Sequence, residues 1–214
     1  MNIFKISSKK RIGPHNLDVL SFLFGSLLGD THAEVRSPNN SVRFSFKQSS
    51  RNVEYLMWFH KYLSDRGYCN PKKPVLRKQI GRCNKIYFYY RINSYSYSNL
   101  FWFYNIFYKN KVKFIPENKY LKKFLTPLAL AIWFMDDGAK TSAGAQFSTQ
   151  CFQKNDLERL VLFLKEEYDL SSSIQSTGKN NQFVIYIPKK DMTKFSKIIK
   201  KYLVKSMYSK LNGY

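Results

Sequence analysis

Two acidic residues close the two most apolar stretches of the chain. Leu20-Ser-Phe-Leu-Phe-Gly-Ser-Leu-Leu-Gly-Asp30 ends on Asp30, and Leu125-Thr-Pro-Leu-Ala-Leu-Ala-Ile-Trp-Phe-Met-Asp-Asp137-Gly ends on Asp137. Both stretches read as helices. A carboxylate at a helix C-terminus is electrostatically misplaced, because the helix dipole already puts partial negative charge there. A bound divalent cation resolves that conflict. Carboxylate and backbone carbonyl oxygens are the hard donors that Mg²⁺ prefers. Such an ion can activate water and neutralise charge on a scissile phosphate. One such helix end alone is more simply a solvated acid. Two at matching places, in a strongly basic chain, ask for a shared cause.

The charge names the partner class. Lys and Arg number 36 against 14 Asp and Glu, a formal net charge of +22, and the pI is near 9.9. A chain this basic repels itself unless a polyanion is its partner. Nucleic acid comes first and an anionic membrane second. The longest apolar run, Leu125 to Met135, is about half the ~20 residues a spanning helix needs, so no membrane partner is expected. With 44% hydrophobic and 17% aromatic residues, the chain can bury a core and is not of the disordered class. Cys69, Cys83 and Cys151 are odd in number and lack CxxC spacing; His15, His32 and His60 are scattered. A zinc site is therefore not expected, and a reducing compartment suits the thiols. Met1 to Gly13 has lysines but no apolar signal core. It reads as a solvated basic tail, with a transit segment as the alternative. The abundance of Lys, Asn, Tyr, Phe, Ile and Ser reflects AT-rich codons and points to an organellar gene, in the mitochondrion or alternatively the chloroplast.

The elements that position the two acids repeat. Asp30 and Asp137 lie 107 residues apart. Val42-Arg-Phe-Ser-Phe-Lys-Gln48 and Ala145-Gln-Phe-Ser-Thr-Gln150 alternate as strands do. Val53–Phe59 and Leu157–Phe163 read as amphipathic helices, with Asn52 and Asp156 as expected N-caps. Strand-like pairs follow, Val75–Lys78 with Ile86–Ile92 and Ser173–Ser176 with Phe183–Ile187. Gly81 and Gly178 lie in their connections, as hairpins require. Closing helices are expected at Asn99–Tyr108 and Met192–Leu203. The predicted class is α+β, with two pseudo-symmetric αββαββα halves. Its expected parts are a basic tail at 1–19, a first repeat at 20–116, a linker at 117–124 and a second repeat at 125–214.

Leu23-Phe-Gly-Ser-Leu-Leu-Gly-Asp30-Thr and Leu130-Ala-Ile-Trp-Phe-Met-Asp-Asp137-Gly resemble the two motifs of the LAGLIDADG homing endonucleases, in their monomeric two-repeat form. The likeness runs from about Leu20 to Leu211 and is greatest to the type encoded in yeast mitochondrial introns. The resemblance implies that the motif helices pack together, with Asp30 and Asp137 meeting at the floor of a DNA groove. It implies Gly29 and Asp136 carbonyls as further metal ligands, with Mg²⁺ as the ion and Mn²⁺ as a substitute. Register with Asp30 selects Asp137 over Asp136. It further implies saddle-shaped antiparallel sheets on the major groove, a monomer, and a double-strand break with 3′ overhangs in a long asymmetric site, in the service of intron mobility. A basic residue beside each centre is part of the pattern; Lys113 and Lys210, 97 apart, fit those places and could stabilise the phosphorane or order the attacking water. Thr31 replaces the glycine common at the motif's end. Gly25 and Gly29 permit close helix approach, while their counterparts are Ile132 and Asp136, so the interface must be asymmetric.

Alternation picks the strand residues that would face DNA. In the first half these are Arg43, Ser45, Lys47, Arg77, Arg82, Lys85, Tyr87, Tyr89 and Arg91. In the second they are Lys140, Gln146, Ser148, Gln150, Lys179 and Gln182. Arg and Lys suit guanine edges and Gln suits adenine. Lys61, Lys165, Lys197, Lys200 and Lys201 fall on helices and are expected to be solvated or backbone-facing. The alternative function is an intron RNA maturase on the same scaffold, with or without cleavage. A non-catalytic nucleic-acid-binding protein fits the charge equally well but gives the acidic helix ends no purpose.

Overall fold

The computed structural model describes residues 6–11, 13–36, 40–179, 181–211 and 213–214. In chain order its elements are α1 (Leu17–Leu28), β1 (His32–Arg36), β2 (Ser41–Ser49), α2 (Val53–Asp65), β3 (Arg77–Ile80), β4 (Ile86–Asn93), α3 (Phe101–Asn105), β5 (Tyr108–Lys109), β6 (Val112–Lys113), α4 (Asn118–Phe124), α5 (Pro127–Asp137), β7 (Gly138–Lys140), β8 (Gly144–Ser148), α6 (Lys154–Tyr168), β9 (Ser173–Ser176), β10 (Phe183–Pro188) and α7 (Lys189–Ile199). The expected αββαββα order therefore occurs twice, from α1 to α3 and from α5 to α7. The segment 117–124, expected as a linker, carries the helix α4. Among the described residues no helix is long and apolar enough to cross a membrane.

Contacts divide the chain into two compact units that do not follow chain order. One comprises the described part of 1–16 with 30–105, and the other 17–29 with 106–214. Helix α1 belongs to the second unit because its face is spent on α5.

In the first unit the antiparallel sheet runs β1-β2-β4-β3. Alternation along β2 sends Val42, Phe44 and Phe46 inward. There Phe46 stacks on Phe59 of α2 at 4.0 Å, and Phe44 meets Phe103 of α3 edge-on at 6.3 Å. Helix α2 buries Tyr55, Leu56, Phe59, His60 and Leu63, the spacing of one helical face. The expected closing helix at Asn99–Tyr108 is shorter, a 3-10 turn over Ser98–Leu100 followed by the five residues of α3. The N-terminal segment departs from a solvated tail. Arg11 donates to the Ser96 carbonyl at 2.9 Å and lies over the Tyr95 ring at 4.6 Å, while His15 pairs with the Tyr68 hydroxyl at 2.6 Å. Its aromatic and carbonyl partners lie far along the chain, which composition alone does not reveal. Residues 1–5 and 12 of that segment lie outside the described residues.

In the second unit α1 is buried from Val19 to Leu28 and packs along α5, itself buried from Ala129 to Met135. Helix α5 begins where Thr126 Oγ1 accepts from the Ala129 N–H at 3.4 Å, with Pro127 in its first turn; both are standard start signals. Helix α4 closes over α1 through Phe124 and Phe24, 5.9 Å apart. The sheet runs β7-β8-β10-β9. Its inner face presents Phe147, which stacks on Trp133 of α5 at 3.9 Å and meets Phe195 of α7 at 5.9 Å. Asp156 is not the expected cap. Helix α6 starts earlier, with Gln153 at its N-cap, and Asp156 sits in the first turn, accepting from Arg159 at 2.8 Å and from the Ile115 N–H at 3.4 Å. A carboxylate anywhere in that turn suits the dipole, so the sequence signal for a cap and for a first-turn acid is the same.

Candidate active site and nucleic-acid interface

The close meeting of α1 and α5 depends on two missing side chains. A Cβ on Gly25 would lie 2.1 Å from the Ala129 carbonyl oxygen, and one on Gly29 would lie 2.5 Å from the Asp136 Cβ. The helices therefore touch backbone to backbone at Gly25, and Asp136 occupies the space a side chain at 29 would fill. This is the asymmetry expected from the unlike counterparts Ile132 and Asp136.

Both helix ends meet a lysine. Lys113 Nζ donates to the Gly29 carbonyl at 3.0 Å. Lys210 Nζ donates to the Met135 carbonyl at 2.6 Å, with the Phe134 and Asp136 carbonyl oxygens at 3.5 Å. An ammonium group at the last carbonyls of a helix offsets the negative end of its dipole. Local structure explains both placements. Lys113 comes off the β5–β6 hairpin, whose turn residues Asn110 and Lys111 both have positive φ, 49° and 64°, as a tight two-residue hairpin turn demands. Lys210 comes off the 3-10 turn Lys205–Leu211, anchored by buried Met207 and Leu211. The Cys151 thiol lies in the same neighbourhood. The residue is exposed, yet local desolvation of the sulfur raises its pKa; Lys113 opposes the shift and Asp137 adds to it.

Asp30 follows Gly29 directly and is exposed, whereas Asp136 and Asp137 are half-buried. In the first unit Asp30 Oδ2 accepts from Gln48 Nε2 at 2.7 Å. The orientation of that amide is fixed, because Gln48 Oε1 accepts from the Ser49 N–H at 3.1 Å and from Asn52 Nδ2 at 3.0 Å. Asn52 does stand at the N-cap of α2, but without a side-chain cap bond; its amide is spent on Gln48. Gln48 was not among the expected site residues. Its signal was a polar side chain at the position after Val42, Phe44 and Phe46, where alternation asks for an apolar one.

The donor chemistry fits a hard divalent cation. Among the described residues no three His, Cys, Asp or Glu side chains converge as a metal cluster. What the helix ends offer is a carboxylate and backbone carbonyls, to which phosphate and water oxygens add in the manner of Mg²⁺. The carbonyls of Gly29 and Met135 already face a cation, the lysine ammonium, so these ends are built to receive positive charge.

Strand register sorts the expected DNA-facing residues. Antiparallel partners share a face. Arg43 pairs with Glu34 and Ser45 with His32; Lys47 pairs with Arg91 and Ser49 with Tyr89; Arg77 pairs with Tyr89 and Gln79 with Tyr87. Arg43, Ser45, Lys47, Arg77, Tyr87, Tyr89 and Arg91 therefore share the outer face of the first sheet, opposite the one covered by α2. Arg82 and Lys85 lie at the tip of the β3–β4 hairpin. Lys47 Nζ sits 4.2 Å from the Tyr89 ring centroid and donates to Gln79. Arg43 is held by Glu34 at 2.6 Å. His32, Glu34, Gln79 and Asn93 share this face too, and only pairing reveals them. In the second sheet Gln146 pairs with Ala139 and Tyr186, and Ser148 with Val184, on the outer face. Lys140 pairs with Ala145 and so takes the inner-face parity, reaching solvent only because the strand ends there. Gln150 lies in a turn past β8, Lys179 in the β9–β10 connection, and Gln182 just before β10.

Known proteins share this architecture. A solved structure, the homing endonuclease I-WcaI bound to its DNA recognition sequence, superposes with a TM-score of 0.82 over 95% of this chain and 90% of that one, at 24% identity. The cytochrome b mRNA maturase bI2 of Saccharomyces cerevisiae is 39% identical over 98% of this chain, which spans 51% of that protein's length. The bI2 maturase of Debaryomyces hansenii is 34% identical over 94% of this chain and 76% of its own length. The intron-encoded endonuclease ai4 of Dictyostelium discoideum is 32% identical over 71% of this chain and 97% of its own. The family model described as the LAGLIDADG DNA endonuclease family matches residues 20–195, both motifs included, and the chain belongs to that family.

Proposed function

We propose that this chain is a site-specific endonuclease that makes a double-strand break with 3′ overhangs in a long asymmetric DNA target, as a monomer, and so promotes intron mobility. The observation that carries this reading is the repeated helix end: two apolar helices packed together, each closing on an aspartate, each met at its last carbonyls by a lysine from the matching place in its repeat. Asp30 and Asp137, with the Gly29 and Asp136 carbonyls, would hold Mg²⁺, with Mn²⁺ as a substitute. The bound ion supplies charge neutralisation at the phosphate and a more acidic water. Gln48 holds the Asp30 carboxylate in one orientation. Lys113 and Lys210 bring fixed positive charge to the place where negative charge grows on the phosphorane, an interaction that strengthens in the transition state. The outer sheet faces supply the base and phosphate contacts, through Arg43, Lys47, Arg77 and Arg91 in the first half and Gln146 and Ser148 in the second. The organellar composition and the cytochrome b relatives support a mitochondrial setting.

The test is cleavage of a randomised duplex library with Mg²⁺. Defined double-strand breaks that vanish in Asp30→Asn and in Asp137→Asn are expected. A wild-type protein that binds duplex but cuts no member of the library would overturn the endonuclease reading. A second reading, a maturase that assists splicing by binding intron RNA, is favoured by the identity to proteins named as mRNA maturases. It is compatible with cleavage in the same chain.

A further inference from the structure

The second half carries positive charge that the DNA-facing surfaces do not use. Residues 170–214 hold nine lysines against a single acid, Asp191; with Lys179 and Lys210 assigned to the duplex site, seven remain. Asp191 is buried, 8% exposed, and its carboxylate accepts from the Ser171 N–H at 2.7 Å. Helix α7 turns Met192, Phe195 and Ile199 inward, against β8, β10 and α5. Its opposite face presents Lys190, Lys194 and Lys197, and Lys201 continues the row on the following 3-10 turn; all four are exposed. They fall at i, i+4, i+7 and i+11, one helical stripe about 16 Å long at ~1.5 Å per residue. The acid beside the row is Asp169, which Lys165 and Lys194 share.

Three observations set this stripe apart from the duplex site. Helix α7 covers the inner face of its sheet, whereas Gln146, Ser148 and Tyr186 lie on the outer face. A stiff duplex seated on that outer face leaves the far side of α7 untouched. The stripe also has no counterpart in the first repeat: α3, at the matching place, reads Phe-Trp-Phe-Tyr-Asn without a basic residue. A function shared by both halves would have kept it in both. Aromatic rings accompany the lysines as well. Lys201 Nζ lies 4.9 Å from the Tyr202 ring centroid and Lys200 Nζ 5.9 Å from that of Tyr208, a ring 40% exposed. Rings beside a cationic track are what unpaired bases stack on. An anionic membrane fits less well. The apolar side of α7 is spent on the core, and the side chains between the lysines, Thr193 and half-buried Ile198, offer nothing to insert.

We infer that the α7 stripe Lys190–Lys194–Lys197–Lys201, with Tyr208, is a second nucleic-acid surface that takes RNA with unpaired bases while the sheets hold duplex DNA. This rests on the RNA-binding reading above and places that activity on a surface of its own. The test uses the full chain and two probes, a stem–loop RNA with a mixed-sequence loop and a mixed-sequence DNA duplex. The combined variant Lys190→Glu, Lys194→Glu, Lys197→Glu and Lys201→Glu should lose tenfold or more in RNA affinity. Each lost phosphate contact should also reduce the salt slope of RNA binding by roughly 0.7, or ~3 for all four. Duplex affinity, cleavage and Tm should stay at wild-type values, and RNA should bind protein already saturated with duplex. A Lys→Gln version of the same four keeps the test valid if charge reversal unfolds the protein. Equal RNA affinity in wild type and variant, or RNA displaced by duplex, overturns the separate surface while leaving RNA binding itself standing. No RNA bound by wild type overturns both.

Discussion

Gly25→Ala tests whether backbone contact between α1 and α5 holds the centre together. Taken alone, the change should stabilise, since Ala is better than Gly inside a helix by roughly 1 kcal/mol. The environment reverses the sign. The new Cβ would lie 2.1 Å from the Ala129 oxygen and 2.7 Å from its carbonyl carbon and Cα. Ordinary contact needs about 3.5 Å, so the helices must part by more than an ångström at this point. The atoms met are backbone, and no rotamer change relieves them. Overpacking of this kind costs ~1–3 kcal/mol and sometimes more, and the parted helices also lose contact along their buried length. The net expectation is a loss of about 1–3 kcal/mol, or a Tm lowered by roughly 2–12 °C for a chain of this size. Cleavage should fall further than stability. Gly29 at the end of α1 would shift relative to Lys113 and Asp136, and misplacement by about an ångström can cost ~10²-fold in rate. Thermal melts followed by circular dichroism and single-turnover cleavage below the Tm measure the two effects. Gly29→Ala repeats the test one turn on: its Cβ would lie 2.5 Å from the Asp136 Cβ, an atom fixed to the backbone that no rotamer change moves, so Tm and cleavage should both fall here as well. A Tm raised by Gly25→Ala would refute the reasoning, because propensity would then outweigh contact.

Lys113→Met and Lys210→Met should each lower the cleavage rate by ~10²–10³-fold, the usual loss for one transition-state donor, with a modest fall in Tm because each helix end loses a charge worth about 0.3–1 kcal/mol. If each lysine serves one strand, either variant leaves nicked duplex as the main product on a supercoiled plasmid; wild-type rates in both would remove their catalytic role. Gln48→Ala removes one hydrogen bond from the Asp30 carboxylate and should reduce kcat about tenfold with KM unchanged, whereas Gln48→Glu sets a second carboxylate against the first and should reduce it more; an effect on KM alone would make Gln48 a DNA contact instead. Burial pushes the Cys69 thiol up to about 12 from its ordinary 9.0. The native state therefore keeps a proton that the unfolded chain releases, so stability is intact below pH 9 and declines as pH rises from 9 towards 12. Urea melts across that range should show the decline, and Cys69→Ala should flatten it. Tyr97 and Tyr168, also raised by burial, add a similar decline above pH 10, which the Cys69 variant retains.

The sequence made the repeat legible because its signals are periodic and local. Apolar runs closed by Asp30 and Asp137, alternation in β2 and β8, and the amphipathic faces of α2 and α6 all report on a residue's own neighbourhood. Lys113 and Lys210 were legible only through the family pattern, and their carbonyl partners were not. Features made by distant pairing stayed hidden. Arg11 meets Ser96 85 residues away, so the N-terminal segment looked like a tail. Glu34 and Gln79 join the outer face through strand register, and Lys140 leaves it for the same reason. Gln48 was visible as a polar residue at an apolar position, but its bond to Asp30 depends on where β2 runs. The contact division at Gly29 and Ile106 was hidden too, since no local pattern says that α1 commits its buried face to α5.

The lysines change the electrostatic problem posed by the two aspartates. On sequence grounds a metal was needed to make a carboxylate tolerable at a helix C-terminus. In the folded chain an ammonium already stands at each set of terminal carbonyls, and Asp30 also has the Gln48 amide. The helix ends therefore have a charge partner of their own, and on the proposed reading the donor groups would be held in place before an ion binds. Preorganisation of this kind removes reorganisation from the reaction itself. It does not spend the oxygen ligands either. A carbonyl oxygen has two lone pairs, so accepting from Lys113 leaves the Gly29 oxygen able to serve a second cation. On the same reading, the charge that offsets the helix dipole in the free protein would be in place to meet a phosphate when DNA arrives. On the proposed reading, the pairing of an acid with a lysine at both helix ends would serve stability and catalysis through one electrostatic arrangement, which is a physical reason for both repeats to carry it.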